Sequence, residues 1–247
     1  MISIKTKKEI NTIKEGGMIL AEIMEKLRDQ VQPGLRTEEL ERASKALIFN
    51  SKAEPAFLNY QGFPATLCAS LNSQIVHAVP SSYALKEGDI LSLDLGVKYK
   101  GYYTDMAITV GVGEIDFEER RLLKATRKSL KMAIQKAKVG NTFGDIGNTV
   151  QRHIESQGFS VIRDLCGHGI GKILHEDPQI LNYGQRGKGE EIKEGMVFCV
   201  EPMASMGDYR IKKGADGFSF ETKDGSLSAH FEHTMAIING KAVVLTV

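Results

Sequence analysis

Asp94, Asp105, His168, Glu201 and Glu232 carry the chemistry of this 247-residue chain. The four acids sit in or beside short apolar, strand-like runs: 90–95, 102–108, 197–201 and 231–235. Burying an unpaired carboxylate costs several kcal/mol, so such groups are normally paired or metal-bound. Four clustered carboxylates repel one another unless cations lie between them. His168 is flanked by Gly167 and Gly169, which let the backbone come close to a ligand. Four carboxylates and one imidazole suit two divalent ions such as Mn, Fe, Co or Zn, and oxygen ligands do not name the metal. Two ions about 3.5–4 Å apart, bridged by acids, can lower the pKa of bound water toward about 7. Hydrolysis is the natural reaction. A thiolate zinc site is not supported: Cys68, Cys166 and Cys199 are odd in number and lack Cys-x-x-Cys spacing. They read as reduced thiols in a cytoplasm, with Cys166 and Cys199 as small buried apolar groups.

A repeat supports the clustering. Lys86-Glu87-Gly88 precedes Asp94 and Lys193-Glu194-Gly195 precedes Glu201, the acid lying six residues after the glycine each time. Gly34 and Gly140 each open a helical pattern; they are 106 positions apart, and the two acids 107. Two halves, about 1–112 and 113–247, therefore share a plan of helix, turn, helix, strand within one domain. A pseudo-twofold axis between them would bring the acids together. Lys-Glu-Gly is also a common turn before a strand; the matching second offset is what favours the repeat.

Helices are expected over about 6–31, from Thr37 as N-cap, over about 122–137 and over 145–157. Strands are expected at about 66–71, 75–78, 89–97, 102–111, 159–163, 170–171, 196–205, 209–214, 217–223 and 230–246. Residues 55–66 form an aromatic-rich loop that lines something. The class is α+β, with helices on one face of a curved, mostly antiparallel sheet. The net charge of +1 gives no steering toward nucleic acid or membrane. No apolar run is long enough to span a bilayer, and the N-terminus is not a signal peptide.

Asp94 and Asp105 are eleven residues apart, across a turn at Lys100-Gly101, so adjacent antiparallel strands could aim both into one site. His77 and His175 could donate to a substrate carbonyl or an oxyanion, and a surface-loop role fits each equally well. His153 reads as solvated, and His230 and His233 as structural. There is no Gly-x-Ser-x-Gly elbow, Walker loop or His-Glu-x-x-His.

The segments Ser92–Gly96, Tyr103–Ala107, Gly167–Gly171, Val200–Pro202 and Phe231–Thr234 together resemble the type I methionine aminopeptidases, end to end and in order. The resemblance implies a pita-bread fold with internal pseudo-twofold symmetry. It implies that Asp94 ligates a first ion, that Asp105 and Glu232 bridge two, and that His168 and Glu201 hold the second. Glu201 would also carry protons for the attacking water and leaving amine. His77 and His175 would contact substrate, His175 stabilising the tetrahedral intermediate. Tyr60, Phe63 and Cys68 would form the methionine pocket, with Phe218 in a position where Trp is common. Leu174 stands where Phe is frequent, Gly96 where many bacterial members have Thr, and Val76–Pro80 departs from Cys-His-Gly-Ile-Pro.

The implied activity is removal of initiator methionine from nascent chains, with small second residues preferred. The partners would be nascent N-termini at the ribosome, and the enzyme a free-standing, bacterial-type cytoplasmic monomer. An X-Pro peptidase of the same fold is the nearest rival; the absence of an extra N-terminal domain and the Tyr60/Phe63 loop count against it. A metal-free binding module, or a metal-independent hydrolase of the fold, would lack the acids. Ile2 is bulky, so the implied specificity leaves Met1 in place.

Overall fold

The computed structural model describes residues 2–247, so the expectation about Met1 lies outside the described residues. Among the described residues there are four α-helices: α1 (Lys7–Arg28), α2 (Thr37–Asn50), α3 (Phe117–Lys136) and α4 (Phe143–Ser156). Thr6 caps α1, its hydroxyl accepting from Glu9 N–H while the Glu9 carboxylate accepts from Thr6 N–H. At α2 the cap is Arg36 rather than Thr37. The Thr37 hydroxyl donates instead to Ser81 O at 3.0 Å, which ties the helix start to a distant loop.

Fifteen strands follow in chain order: β1 (Glu54–Pro55), β2 (Leu67–Leu71), β3 (Gln74–Val76), β4 (Ile90–Tyr99), β5 (Tyr102–Gly111), β6 (Ser160–Val161), β7 (Cys166–Gly169), β8 (Glu176–Leu181), β9 (Val197–Val200), β10 (Met203–Ser205), β11 (Ile211–Lys213), β12 (Phe220–Thr222), β13 (Ser228–His230), β14 (Glu232–Ile238) and β15 (Lys241–Val244). The main sheet runs β1-β4-β5-β14-β9-β7-β8, with β2 on β4 and β15 on β14, and its strand pairs are antiparallel. The two halves of the chain meet at β5–β14. The run 196–205 is two strands in two sheets, not one, because Glu201-Pro202 breaks it. No strand forms at 170–171: β7 lies before it and ends at Gly169, and β8 follows in a stretch with no strand pattern in the sequence.

Period-two alternation sorts the sheet's side chains. Leu91, Leu93, Leu95 and Val97 of β4 join Leu20, Met24, Leu27 and Leu40 of α1 and α2 in one core. Phe198 and Val200 of β9 and Met235 and Ile237 of β14 join Leu122, Leu130, Ile146 and Val150 of α3 and α4 in another. The intervening residues, Asp94 among them, are left for the opposite face.

The two Lys-Glu-Gly turns make the same contacts. Asp89 N–H donates to Lys86 O (3.1 Å) and Met196 N–H to Lys193 O (3.2 Å). Gly88 and Gly195 have φ of +86° and +81°, and donate to Val112 O and Ile237 O, each at 3.0 Å. The N–H groups of Leu85 and Ile192 donate to Leu35 O and Asn141 O, each at 2.8 Å.

The Glu41 carboxylate on α2 accepts from Thr66 N–H, Thr66 Oγ1 and Leu67 N–H at 2.8–3.0 Å, pinning β2 to the helix. Hydrogen bonds to a charged group contribute about 1.5–3 kcal/mol each, and their energies are not additive. Glu41→Ala is expected to lower the unfolding free energy by about 3 kcal/mol in a urea titration, with the slope unchanged.

Candidate metal centre

Antiparallel pairing fixes where the acids lie. Cys68 pairs with Asp94, Asp94 with Ala107, Gly96 with Asp105, and Ala107 with Glu232. At the β5–β14 seam the Thr234 hydroxyl accepts from Asp105 N–H (2.9 Å) and donates to Asp105 O (2.8 Å). His168 enters from β7, and Glu201 from the end of β9, where Asn182 Nδ2 donates to its backbone O at 2.9 Å. All five residues line one cavity of about 410 Å³.

The donor atoms are close together. Asp94, Asp105 and Glu232 each offer an oxygen within 4.8 Å of the others'. His168 Nε2 lies 3.7 Å from Glu201 Oε1 and 3.9 Å from Glu232 Oε1. His168 Nδ1 is 2.9 Å from Gly169 O; a carbonyl only accepts, so the proton is on Nδ1 and Nε2 presents a lone pair. Asp94 Oδ1 and Glu232 Oε1 are buried without a hydrogen-bond partner. Orphaned oxygens in a carboxylate cluster fit divalent cations, and the hard, oxygen-rich set fits the borderline-to-hard metals.

Electrostatics without a cation are unfavourable. Burial pushes Asp94 up to about 6, with His230 and Asp105 opposing the shift. Burial, then the Glu232, Asp94 and Glu201 charges, hold Asp105 well above the usual carboxylate range. Burial and the Asp94 charge raise Glu201; burial, Glu201 and Asp94 raise Glu232. Burial, with His175 and His77 adding to it, pushes His168 down to about 3, so its ring is neutral.

The flanking glycines of His168 serve the sheet, not a ligand. A Cβ at Gly167 would meet Cys199 O at 2.4 Å, and one at Gly169 would meet Asp177 O at 2.1 Å. Gly96 is likewise a packing requirement: a Cβ there would meet Phe57 Cε1 at 2.8 Å and Ala56 Cβ at 2.9 Å. A threonine at this place would press on Phe57, which lines the cavity.

The substrate-contacting candidates share the same cavity: Tyr60, Phe63, Cys68, His77, His175 and Phe218. Phe63 and Phe218 meet edge to face at 5.5 Å, and Leu174 is buried in the wall. The Tyr60 hydroxyl is 2.9 Å from His175 Nδ1, and the His175 ring stacks edge-on to His168 at 4.3 Å. The His175 loop is anchored by the buried Lys5–Glu176 ion pair at 2.5 Å. His77 holds a left-handed backbone, φ +61°, a strained state for a non-glycine residue. Its edge is open to the cavity, but the surrounding protein, then His230, His175 and Lys213, push its imidazole down to about 4.

Cys199 is a buried thiol whose Sγ lies 3.3 Å from Thr234 Oγ1. Burial raises it further, so it offers no thiolate. His233 Nδ1 pairs with Thr246 Oγ1 at 2.9 Å, a structural contact. His230 is different: it is 1% exposed and its Nε2 lies 3.5 Å from Glu201 Oε2. Its sequence context marks it only as a structural residue. The available signal was its place two residues before Glu232, on the same face of an extended chain.

The site is that of a metal-dependent hydrolase built on a curved antiparallel sheet. Residues 11–239 match the model of metallopeptidase family M24. The chain is 45% identical to a methionine aminopeptidase of Clostridium perfringens over 100% of this chain and 99% of that one. The crystal structure of methionine aminopeptidase from Thermotoga maritima superposes with a TM-score of 0.98 at 42% identity, covering 100% and 99% of the two chains. The prolidase of Pyrococcus furiosus has the same fold at TM-score 0.79 and 25% identity, with 65% of its length covered. The chain thus belongs to metallopeptidase family M24 and, within it, to the methionine aminopeptidases, which carry the pita-bread fold. No described helix is long and apolar enough to cross a membrane.

The raised carboxylates set a sign for pH dependence. Asp94 keeps its proton up to about pH 6 in the folded chain, whereas the unfolded chain loses it near 4. At that group the folded state binds more protons in the window, so its contribution to stability falls as pH rises, while the histidines that burial holds neutral contribute with the opposite sign below about 6.5. Measured against Asp94→Asn, which keeps the histidines, the thermal midpoint of metal-free protein is expected to drop as pH is raised from 4 to 7. Saturating Mn is expected to reverse the drop at pH 7, as followed by calorimetry.

Proposed function

We propose that Asp94, Asp105, His168, Glu201 and Glu232 hold two divalent ions, drawn from Co, Mn, Fe or Zn. The Tyr60, Phe63, Cys68 and Phe218 region would seat a methionine side chain beside them. The chain is a metal-dependent aminopeptidase that removes the initiator methionine, with nascent N-termini as substrates. Small second residues, action at the ribosome as a cytoplasmic monomer, and an origin from repeated halves 1–112 and 113–247 are parts of the proposal. What carries the assignment of the ligands is one cavity in which three buried carboxylates, the largely enclosed Glu201 and a neutral imidazole meet an aromatic pocket.

Divalent ions bound there would act as Lewis acids on the scissile carbonyl and on water. The residues of the chain do the rest. The Glu201 carboxylate, made a stronger base by burial and the Asp94 charge, takes a proton from the attacking water and returns it to the leaving amine. Tyr60 donates to His175 Nδ1 in the tautomer that leaves His175 an Nε2 proton for the oxyanion. His77 offers a second neutral imidazole to the peptide backbone. Phe63 and Phe218 exclude water around the thioether.

Hydrolysis of Met-Ala-Ser, Leu-Ala-Ser and Ala-Pro-Ser, with and without added metal, tests the reading. Metal-dependent release of methionine alone is expected. Asp105→Ala should abolish it, and His175→Ala should lower kcat by about 10²-fold or more. Cleavage of Ala-Pro-Ser in preference to Met-Ala-Ser would favour the prolidase-like alternative. Turnover without metal would overturn the assignment of the ligands.

A further inference from the structure

His230 ends β13 and lies across the seam from Thr109. The Thr109 hydroxyl accepts from His230 N–H (2.8 Å) and donates to His230 O (2.7 Å). Thr234 holds both backbone groups of Asp105 in the same way. These two clamps lie on either side of the Ala107–Glu232 pair. His230 thus occupies, in the second half, the place Asp105 occupies in the first.

The ring points at the glutamates. His230 Nε2 is 3.5 Å from Glu201 Oε2 and 3.8 Å from Glu232 Oε2. His168 Nε2 faces the Oε1 atoms of the same two residues. The pair is therefore bracketed by two imidazoles, one on each set of oxygens. Both ring nitrogens of His230 are buried and without a hydrogen-bond partner.

Tautomers separate the two rings. His168 carries its proton on Nδ1, leaving a lone pair at Nε2. A neutral His230 must place its one proton on Nδ1 or Nε2. On Nδ1 it would be a buried donor with no acceptor, which proteins rarely tolerate. On Nε2 it faces two carboxylate oxygens, and only an acceptor lone pair is left idle. A protonated Nε2 has no lone pair for a cation.

We propose that His230 is a positioning residue: it carries its proton on Nε2 and donates it to Glu201 Oε2, fixing which oxygen Glu201 turns toward His168. This rests on the reading of Glu201 as ligand and proton carrier. The 3.5 Å separation is longer than an ordinary bond of about 2.9 Å and closes with a shift of about half an ångström. No other group among the described residues donates to that carboxylate.

The test is a long-range proton–nitrogen spectrum of the full chain labelled with 15N-histidine and loaded with Zn, which is diamagnetic. His230→Gln assigns the signals. The expected result is protonated Nε2 and bare Nδ1 for His230, and the reverse for His168. A bare, zinc-shifted Nε2 at His230 would make it a ligand and overturn the proposal, as would a proton on Nδ1. This readout does not depend on turnover, so it stands apart from failure of the peptidase reading. Kinetics supply the second arm. The amide nitrogen of His230→Gln reaches where Nε2 lies, whereas His230→Asn reaches only Nδ1. His230→Asn and His230→Leu should lower kcat by about 10–100-fold with KM little changed and Zn stoichiometry unchanged. His230→Gln should restore most of the rate. Full activity in His230→Leu, or loss of one Zn from it, would overturn the proposal.

Discussion

Four carboxylates share a space that water barely reaches, and much of the site follows from that constraint. Asp94, Asp105 and Glu232 are all below 8% exposed, and Glu201 is nearly as enclosed. Burial raises every one of them toward neutrality, and repulsion from neighbouring acids adds to it at Asp105, Glu201 and Glu232. Protonation relieves the repulsion but leaves oxygens such as Asp94 Oδ1 and Glu232 Oε1 without partners. Divalent cations relieve both problems together. The aromatic wall that sustains the low dielectric is also the wall that suits a methionine side chain, so catalysis and specificity draw on the same desolvation.

The fold places this strain where it can be borne. Its helices cover the apolar face of the sheet, so the sheet is rigid behind the site. The acids come from both halves and meet at the β5–β14 seam, where the Thr109 and Thr234 hydroxyls substitute for ladder bonds. Equivalent Lys-Glu-Gly turns hold β4 and the segment before β9 at matching distances from that seam. The histidines arrive on less regular elements: His168 on short β7, His175 on a loop tied by Lys5–Glu176, His77 on a left-handed residue.

Much of this was legible in the residues because burying a charge leaves a trace. An acid inside an apolar alternating run stands out, and all five ligand candidates were found that way or by the glycines around His168. Helix extents were readable from spacing to within a few residues at most ends; the third helix starts five residues earlier than expected. The misses have physical causes. Glu201-Pro202 sends one apolar run into two sheets, which periodicity does not see. β8 contains Asp177-Pro178 and looked like a loop. Gly167 and Gly169 were read as room for a ligand, but they admit neighbouring backbone. His230 looked bland because a lone histidine before a strand carries no local signal; only its aim at Glu201 gives it meaning.

The central claim is that cations, not protons, neutralise the buried acids at neutral pH. Calorimetric titration of metal-free protein with Mn at pH 7, in two buffers of different ionisation enthalpy, tests it most directly. The account predicts two ions per chain and a net release of protons from the raised carboxylates as the ions bind. Binding without proton release, or no binding by a folded chain, would contradict it.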